Sequence, residues 1–395
     1  MAAALSSRER MLRAIRGEQP DYVPCCFMIF GALRGQCQDS FECVERQVEL
    51  GLDAMLEIPA RPLRVQSDHA DLPGLPVRFH PEVAMREWRE DRGGERYPTL
   101  CKVYRTPSGE LSTQVNKTED WPYGDHVPFL DDYLIPRSQE YLINTLDDLE
   151  RLRYLLMPPS AEDIEAFQDA AREAKEFAEA RSLLVWGGWG AVGDMATWLS
   201  GMQDLILRAV DEPAFVEALF DQIASWNQQR MEVVLDAGVD LFIRRGWYES
   251  CAFWSPQLYR RFIFPSLRKE VALAHERGAW FGYIMTTGTM SLLDMLLEAG
   301  VDVLIGVDPI QGGDTDLVAL KEKTQGKMAL WGGINGFLTV ERGSREEVQE
   351  AVTHAVRILS PGGGFILSPV DNVRDTSPHA WDNVLALIET WKRIR

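Results

Sequence analysis

From about residue 180 to the end of the chain one unit recurs: a short run of β-branched or aromatic residues, a stop rich in Gly, Pro or Asp, and a long amphipathic helical stretch. The runs fall at 183–186, 241–244, 279–285, 303–307, 328–331 and 365–368. Two more, at 23–28 and 54–58, flank a helical segment over 41–50 and bring the number of strands to eight. Eight strands alternating with helices predict an α/β fold, a (β/α)₈ TIM barrel.

Between the second and third runs the periodicity changes. Residues 100–106 and 111–115 alternate polar and apolar side chains around Pro107-Ser-Gly-Glu110, which predicts a β-hairpin. It leads into Trp121-Pro-Tyr-Gly-Asp-His126. The stretch from about 62 to 135 is therefore expected as an insertion over one barrel mouth, between the second and third barrel strands, within a single domain spanning 1–395. As a lid or interface element it leaves a homodimer open.

Composition removes several function classes. The 395 residues include 46% hydrophobic and 26% charged, enough for a core and no case for disorder. A formal charge of −19 repels phosphate backbones and anionic bilayers, which argues against nucleic-acid and membrane partners. The first ten residues carry charge where a secretion signal needs an apolar run, so a cytoplasmic location is expected. The six cysteines show no CxxC pair, and no His stands three to five residues from another, so neither a disulfide framework nor a zinc finger is indicated.

In such barrels the residues just after each strand converge on one face. That rule selects Phe30 after the first run, Glu57 at the end of the second, Trp186 and Trp189 from Trp186-Gly-Gly-Trp189, and Arg244, Trp247 and Glu249 around the fourth. The later runs add Tyr283, Thr287, Asp308, Trp331 and Asp371. Each has a plain structural alternative. The Trp-Gly-Gly pairs suit tight turns beside core indoles as well as a wall for a planar ligand. Arg244 suits an internal ion pair as well as a ligand contact, and Asp308, before Pro309, suits a turn cap. Glu57, between Leu56 and Ile58, is placed to point inward, where a lone carboxylate finds a partner or shifts its pKa. No His falls at a strand end; His126, in the insertion, is the one retained.

The segments Gly300-Val-Asp-Val-Leu-Ile-Gly-Val-Asp308, Leu330-Trp-Gly-Gly-Ile-Asn335 and Gly362-Gly-Gly-Phe-Ile-Leu-Ser-Pro369 resemble the uroporphyrinogen decarboxylase superfamily, and the likeness extends over nearly the whole chain. The resemblance implies a (β/α)₈ barrel and either of two chemistries, porphyrinogen decarboxylation or corrinoid-linked methyl transfer; fold alone does not choose between them. The decarboxylases hold substrate carboxylates with an Arg-Gln-Ala-Gly-Arg-like segment after the first strand, where this chain reads Met28-Ile-Phe-Gly-Ala-Leu-Arg34. The zinc-dependent, thiol-methylating branch carries His-x-Cys-Gly after a late strand and a distant Cys, positions that align with Met285, Thr287 and Asp371. None of these supplies nitrogen or thiolate, so zinc is not expected and no metal ligand is assigned.

What the resemblance leaves is the donor half of methyl transfer, in which a small, aromatic methyl ether passes its methyl group to the cobalt of a separate corrinoid protein. The implied catalytic residues are Asp371, Tyr283, Glu249 and Thr287, as donors to the leaving oxygen. Phe30, Glu57, Trp186, Trp189, Arg244, Trp247, Asp308 and Trp331 are the implied substrate-binding set. A decarboxylase for a smaller or less anionic substrate, anchored by Arg244, is the alternative, and a non-catalytic small-molecule-binding barrel is a third. Glu57, Asp308 and Asp371 would make an oxygen-ligand metal site if they met.

Overall fold

Parallel strands buried on both faces read as nearly continuous apolar runs, and the computed structural model shows why the runs in this chain do so. It describes residues 5–60, 74 and 77–395. The strands are β1 (Met55–Glu57), β2 (Ala84–Glu90), β3 (Thr99–Thr106), β4 (Gly109–Asn116), β5 (Ser138–Glu140), β6 (Leu184–Gly190), β7 (Leu241–Arg245), β8 (Trp280–Ile284), β9 (Val303–Val307), β10 (Ala329–Asn335) and β11 (Phe365–Val370). Seven form one parallel sheet in the order β1-β6-β7-β8-β9-β10-β11. Helices such as Pro213–Asp236, between β6 and β7, and Phe264–Glu276, between β7 and β8, make the crossovers.

Alternate residues serve two cores. Met55, Trp186, Leu241, Ile243, Ile284, Ile305, Trp331 and Ile366 gather in one buried cluster inside the curl of the sheet. Their neighbours Leu56, Phe242, Phe281, Tyr283, Leu304, Leu330 and Leu367 pack into the much larger cluster shared with the surrounding helices. Met11 and Ile15, from the helix Ser7–Ile15, join the inner cluster. That helix starts at a capping box in which Ser6 and Glu9 satisfy each other's backbone N–H groups.

The sequence places a strand at 23–28, and the structure does not form one there. Pro24 has no N–H to give to a ladder, and the segment is held instead by single bonds on each side. Cys26 N–H donates to Leu367 O (3.0 Å) and Leu367 N–H to Pro24 O (2.9 Å), while Asp53 N–H donates to Cys25 O (2.9 Å). The Asp53 carboxylate accepts from Cys25 N–H (3.2 Å) and from buried Arg10 (2.6 Å). The segment thereby links β11 to the chain entering β1, the two ends of the seven-stranded sheet.

Between β1 and β6 the chain builds a second sheet in the order β2-β3-β4-β5, antiparallel throughout, so the single hairpin read from the sequence is one part of a four-stranded element. Its own cluster holds Leu100, Val115, Trp121, Val127 and Leu134. Residues 62–73, 75 and 76 of the expected insertion lie outside the described residues.

At the end of β7 the alternation sends Arg244 outward into the helix layer. There it donates to both Glu249 oxygens (3.1 and 2.7 Å), to Glu270 (3.1 Å) and to Ser266 (3.2 Å), all without solvent exposure at Arg244. Glu249 also accepts from Gly193 N–H (2.6 Å) and from the Tyr283 hydroxyl, and Glu270 from Asn227 (3.0 Å). A Cβ at Gly193 would meet Glu249 Cγ at 2.5 Å, so that contact needs glycine. Burial pushes the Glu270 carboxyl up against the opposing pull of Arg244. Breaking a buried pair strands its partners, so Arg244→Met is expected to destabilise the fold by about 3–5 kcal/mol. A urea unfolding midpoint indistinguishable from the parent would contradict this.

Candidate active site

The residue after Arg244 takes the opposite face. Arg245 donates to Asp194 (2.8 Å) and to Asp132 (3.3 and 3.1 Å). Its guanidinium lies 4.6 Å from the Trp198 ring centroid, 4.7 Å from Trp247 and 5.8 Å from Trp189. Asp194 comes from the first turn of the helix Val192–Ser200 and is fully buried. Burial raises its carboxyl to about 6, with Arg245 pulling the other way. Asp132 lies between β4 and β5 of the antiparallel element and also accepts from Trp198 Nε1 (2.9 Å), so that element contributes a side chain to this end of the parallel sheet.

Beside this group β6 ends in Trp186-Gly-Gly-Trp189-Gly190, where the ladder with β7 slips between Gly188 and Gly190. At Gly188, φ is +142° and a Cβ would lie 2.4 Å from Ile243 O, so a side chain there would force the strands apart. The slip leaves Trp189 at φ +54°, a left-handed conformation uncommon outside glycine. In that pose Trp189 stacks on Trp247 (5.8 Å between centroids, 24° between planes), meets Trp186 edge-on, and donates Nε1–H to Glu57 (3.0 Å).

Glu57 closes β1 on the inward side. Burial pushes its carboxyl up to about 7, opposed by the Trp189 hydrogen bond and the charge of Arg34. A carboxyl that titrates near neutrality has the protonation balance a general acid needs. At the end of another strand, Asp371 follows β11 at φ +67° and makes no hydrogen bond to the described residues. Although exposed, it sits against enough protein for desolvation to raise its pKa, the charges of Asp132 and Asp308 adding to the rise while Arg374 and Arg245 oppose it. Asp371 lines a narrow cleft with Met28, Trp247, Ile284, Thr286 and Trp331.

A family profile described as uroporphyrinogen decarboxylase (URO-D) matches residues 120–394, more than half of the chain. The chain belongs to the uroporphyrinogen decarboxylase family. Among solved structures, a methyltransferase from Methanosarcina mazei is similar at 15% identity, covering 98% of this chain and 99% of its own, with a TM-score of 0.63. That likeness is one of fold, and it includes the parallel sheet and its helices. A B12-independent methionine synthase from Shewanella sp. W3-18-1 aligns at 12% identity over 57% of this chain and 65% of its own, with a TM-score of 0.38. No curated protein sequence matches the chain.

Of the site residues read from the sequence of this uroporphyrinogen decarboxylase family member, Glu57, Trp189, Trp247 and Asp371 stand around the mouth. Trp186 and Trp331 form its floor within the inner cluster, and Trp331 Nε1 is tied to Cys26 O (2.9 Å). The others lie elsewhere. Arg244, Glu249 and Tyr283 face the helix layer, because Tyr283 shares the outward register of Arg244 along the paired strands. Phe30 packs on Phe27 and Trp381. Asp308 caps its own turn, accepting from Ile310 and Gln311 N–H (2.8 and 3.1 Å), and takes Asn335 on the other oxygen (2.7 Å). The Thr287 hydroxyl is engaged with Ser250 (3.0 Å), and His126 pairs with Glu87 inside the antiparallel element.

The arginine expected to anchor a carboxylate is thus the outward member of the pair. Among the described residues no three His, Cys, Asp or Glu side chains gather as metal ligands, so Glu57, Asp308 and Asp371 do not form the oxygen site considered above. No helix among the described residues is long and apolar enough to cross a membrane. Arg245, Asp194 and Asp132 escaped the sequence reading. The alternation in Phe242-Ile-Arg-Arg245 was the available signal for the first, and nothing in the sequence marked the other two.

The pH dependence of stability follows from Glu57. Its folded pKa of about 7 lies above the ordinary 4.5, so the unfolded chain releases this proton first and stability is lost as pH rises between those values. Glu57→Gln removes that component. Urea midpoints at pH 4.5 and pH 7.5 should therefore drop less in the variant than in the parent, and equal drops would exclude a shifted Glu57.

Proposed function

We propose that this chain is a methyltransferase in which the mouth of a (β/α)₈ barrel presents a small, aromatic methyl ether to the cobalt of a separate corrinoid protein docked above it. Membership of an enzyme family and the fold shared with a methanogen methyltransferase support the reading. The observation that carries the reading is Glu57, held near neutrality at the aromatic end of the barrel.

In the transfer the methyl–oxygen bond breaks with its electron pair going to oxygen, and cobalt(I) of the acceptor provides the pair for the new carbon bond. The chain must orient the ether and supply a proton to the departing oxygen. Glu57 is the proton donor and Asp371 a hydrogen-bonding partner for substrate oxygen; Trp189 and Trp247 offer indole surface to a planar ring. Tyr283, Glu249 and Arg244 hold the helix layer behind this surface and do not touch substrate. A porphyrinogen with several carboxylates would meet Arg245 already engaged by Asp194 and Asp132, together with the acids Glu57 and Asp371, which disfavours the decarboxylase reading.

Incubating the protein with guaiacol and a reduced corrinoid protein should produce the visible absorption of methyl-cobalt; its absence with every ether tried, while other methyl donors give it, overturns the substrate class. Glu57→Gln should slow turnover at neutral pH by on the order of 10², whereas Asp371→Asn should slow it by about tenfold through a lost hydrogen bond to a charged group. Turnover of Glu57→Gln close to the parent rate would remove Glu57 from the acid role.

A further inference from the structure

Among the described residues most buried indole N–H groups have an acceptor; Trp121, inside the antiparallel element, and Trp247, at the mouth, do not. Trp198 donates to Asp132, Trp331 to Cys26 O, Trp254 to Tyr248 O, Trp226 to Met157 O and Trp391 to Val23 O. Trp247 Nε1 is shut off from solvent and has no acceptor. Leaving a buried donor unmet costs about 1–3 kcal/mol, and native folds rarely tolerate it without a reason. The ring has little freedom to turn toward another acceptor, being stacked on Trp189 and covered by the Arg245 guanidinium.

Trp247 lines the same narrow cleft as Asp371, whose carboxylate likewise lacks a hydrogen-bonding partner among the described residues. The remaining walls include apolar Met28, Ile284 and Trp331 and two hydroxyl side chains, Thr286 and Ser368. Ser368, also in the wall, has its hydroxyl committed to Pro369 O (2.8 Å) and to Met28 N–H (3.2 Å). The cleft that both residues line admits about one water-sized group. An aromatic ring does not fit there, and neither does a methoxy group, but a single hydroxyl does. A hydroxyl also matches the chemistry, since it accepts one hydrogen bond and donates another.

We infer that this cleft is a hydroxyl subsite: Trp247 donates Nε1–H to a hydroxyl oxygen carried on the substrate ring, and Asp371 accepts that hydroxyl's proton in a hydrogen bond. The assignment rests on the proposed function in taking the ring to be that of the methyl donor, and it specifies a hydroxylated aryl methyl ether over a fully methylated one. Sites built to hydrogen-bond a hydroxyl reject analogues that lack it, because the buried polar groups are then left unpaired.

The test uses the whole protein with ¹⁵N-labelled tryptophan, the Trp247 indole resonance being assigned by its absence in Trp247→Phe. Phenol and guaiacol should move that resonance downfield as a hydrogen bond forms, and 1,2-dimethoxybenzene should move it markedly less. In Trp247→Phe the affinity for guaiacol should fall about tenfold more than that for 1,2-dimethoxybenzene, the effect of one lost hydrogen bond beyond the ring surface that both ligands lose. A Trp247 resonance that stays put while phenol binds, or one that 1,2-dimethoxybenzene moves equally, overturns the subsite, as does failure of every probe to bind. Phenol, having no methyl to give, separates the two readings. If Trp247 responds to phenol but guaiacol yields no methyl-cobalt, the subsite stands and the methyl-donor reading falls; methyl-cobalt with a silent Trp247 gives the reverse.

Discussion

Two adjacent guanidinium groups at the end of β7, thrown to opposite sides of the sheet, organise both layers of this fold. Arg244 is sealed among Glu249, Glu270 and Ser266, where its charge is compensated by two carboxylates. Arg245 gathers Asp194, Asp132 and three indoles at the mouth. Buried ion pairs of this kind add little net stability over apolar packing, yet removing one member is expensive. Their contribution here is register: a one-residue slip of β7 would exchange the two environments and leave both guanidinium groups among the wrong partners.

The two clasps are connected. Glu249 accepts from Gly193 N–H at the start of the helix Val192–Ser200, and Asp194, the next residue, is the partner of Arg245. Asp194 in turn accepts Tyr248 N–H (3.0 Å), from the loop that carries Trp247. The helix-layer network therefore fixes the helix start and the loop that together present the aromatic wall. Glu249 and Arg244 influence the mouth by position while remaining out of reach of any ligand.

Periodicity carried most of the fold. The runs at 54–58 and 183–368 became β1 and β6 to β11 because burial on both faces leaves an unmistakable apolar signature, while Pro24 spoiled the ladder at 23–28. The site was legible only in part. Glu57, Trp189, Trp247 and Asp371 follow from standing at strand ends, but position after a strand does not say which face a side chain takes. That is how Arg244 and Tyr283 were drawn into the site and Arg245 passed over. Asp132 is beyond sequence reasoning because it reaches the mouth through a tertiary arrangement of the inserted element.

Trp189 illustrates a conflict between folding and chemistry. At φ +54° an L-residue bears a strain of about 1–2 kcal/mol that glycine would not, and two glycines already precede it in the strand end. Backbone strain alone would favour a third glycine at this position. Yet glycine would strip Glu57 of its hydrogen-bond donor and Trp247 of its stacking partner. The protein thus retains a locally unfavourable backbone as the condition for keeping Glu57 in place, and relief of that strain by glycine would come at the expense of the arrangement at the mouth.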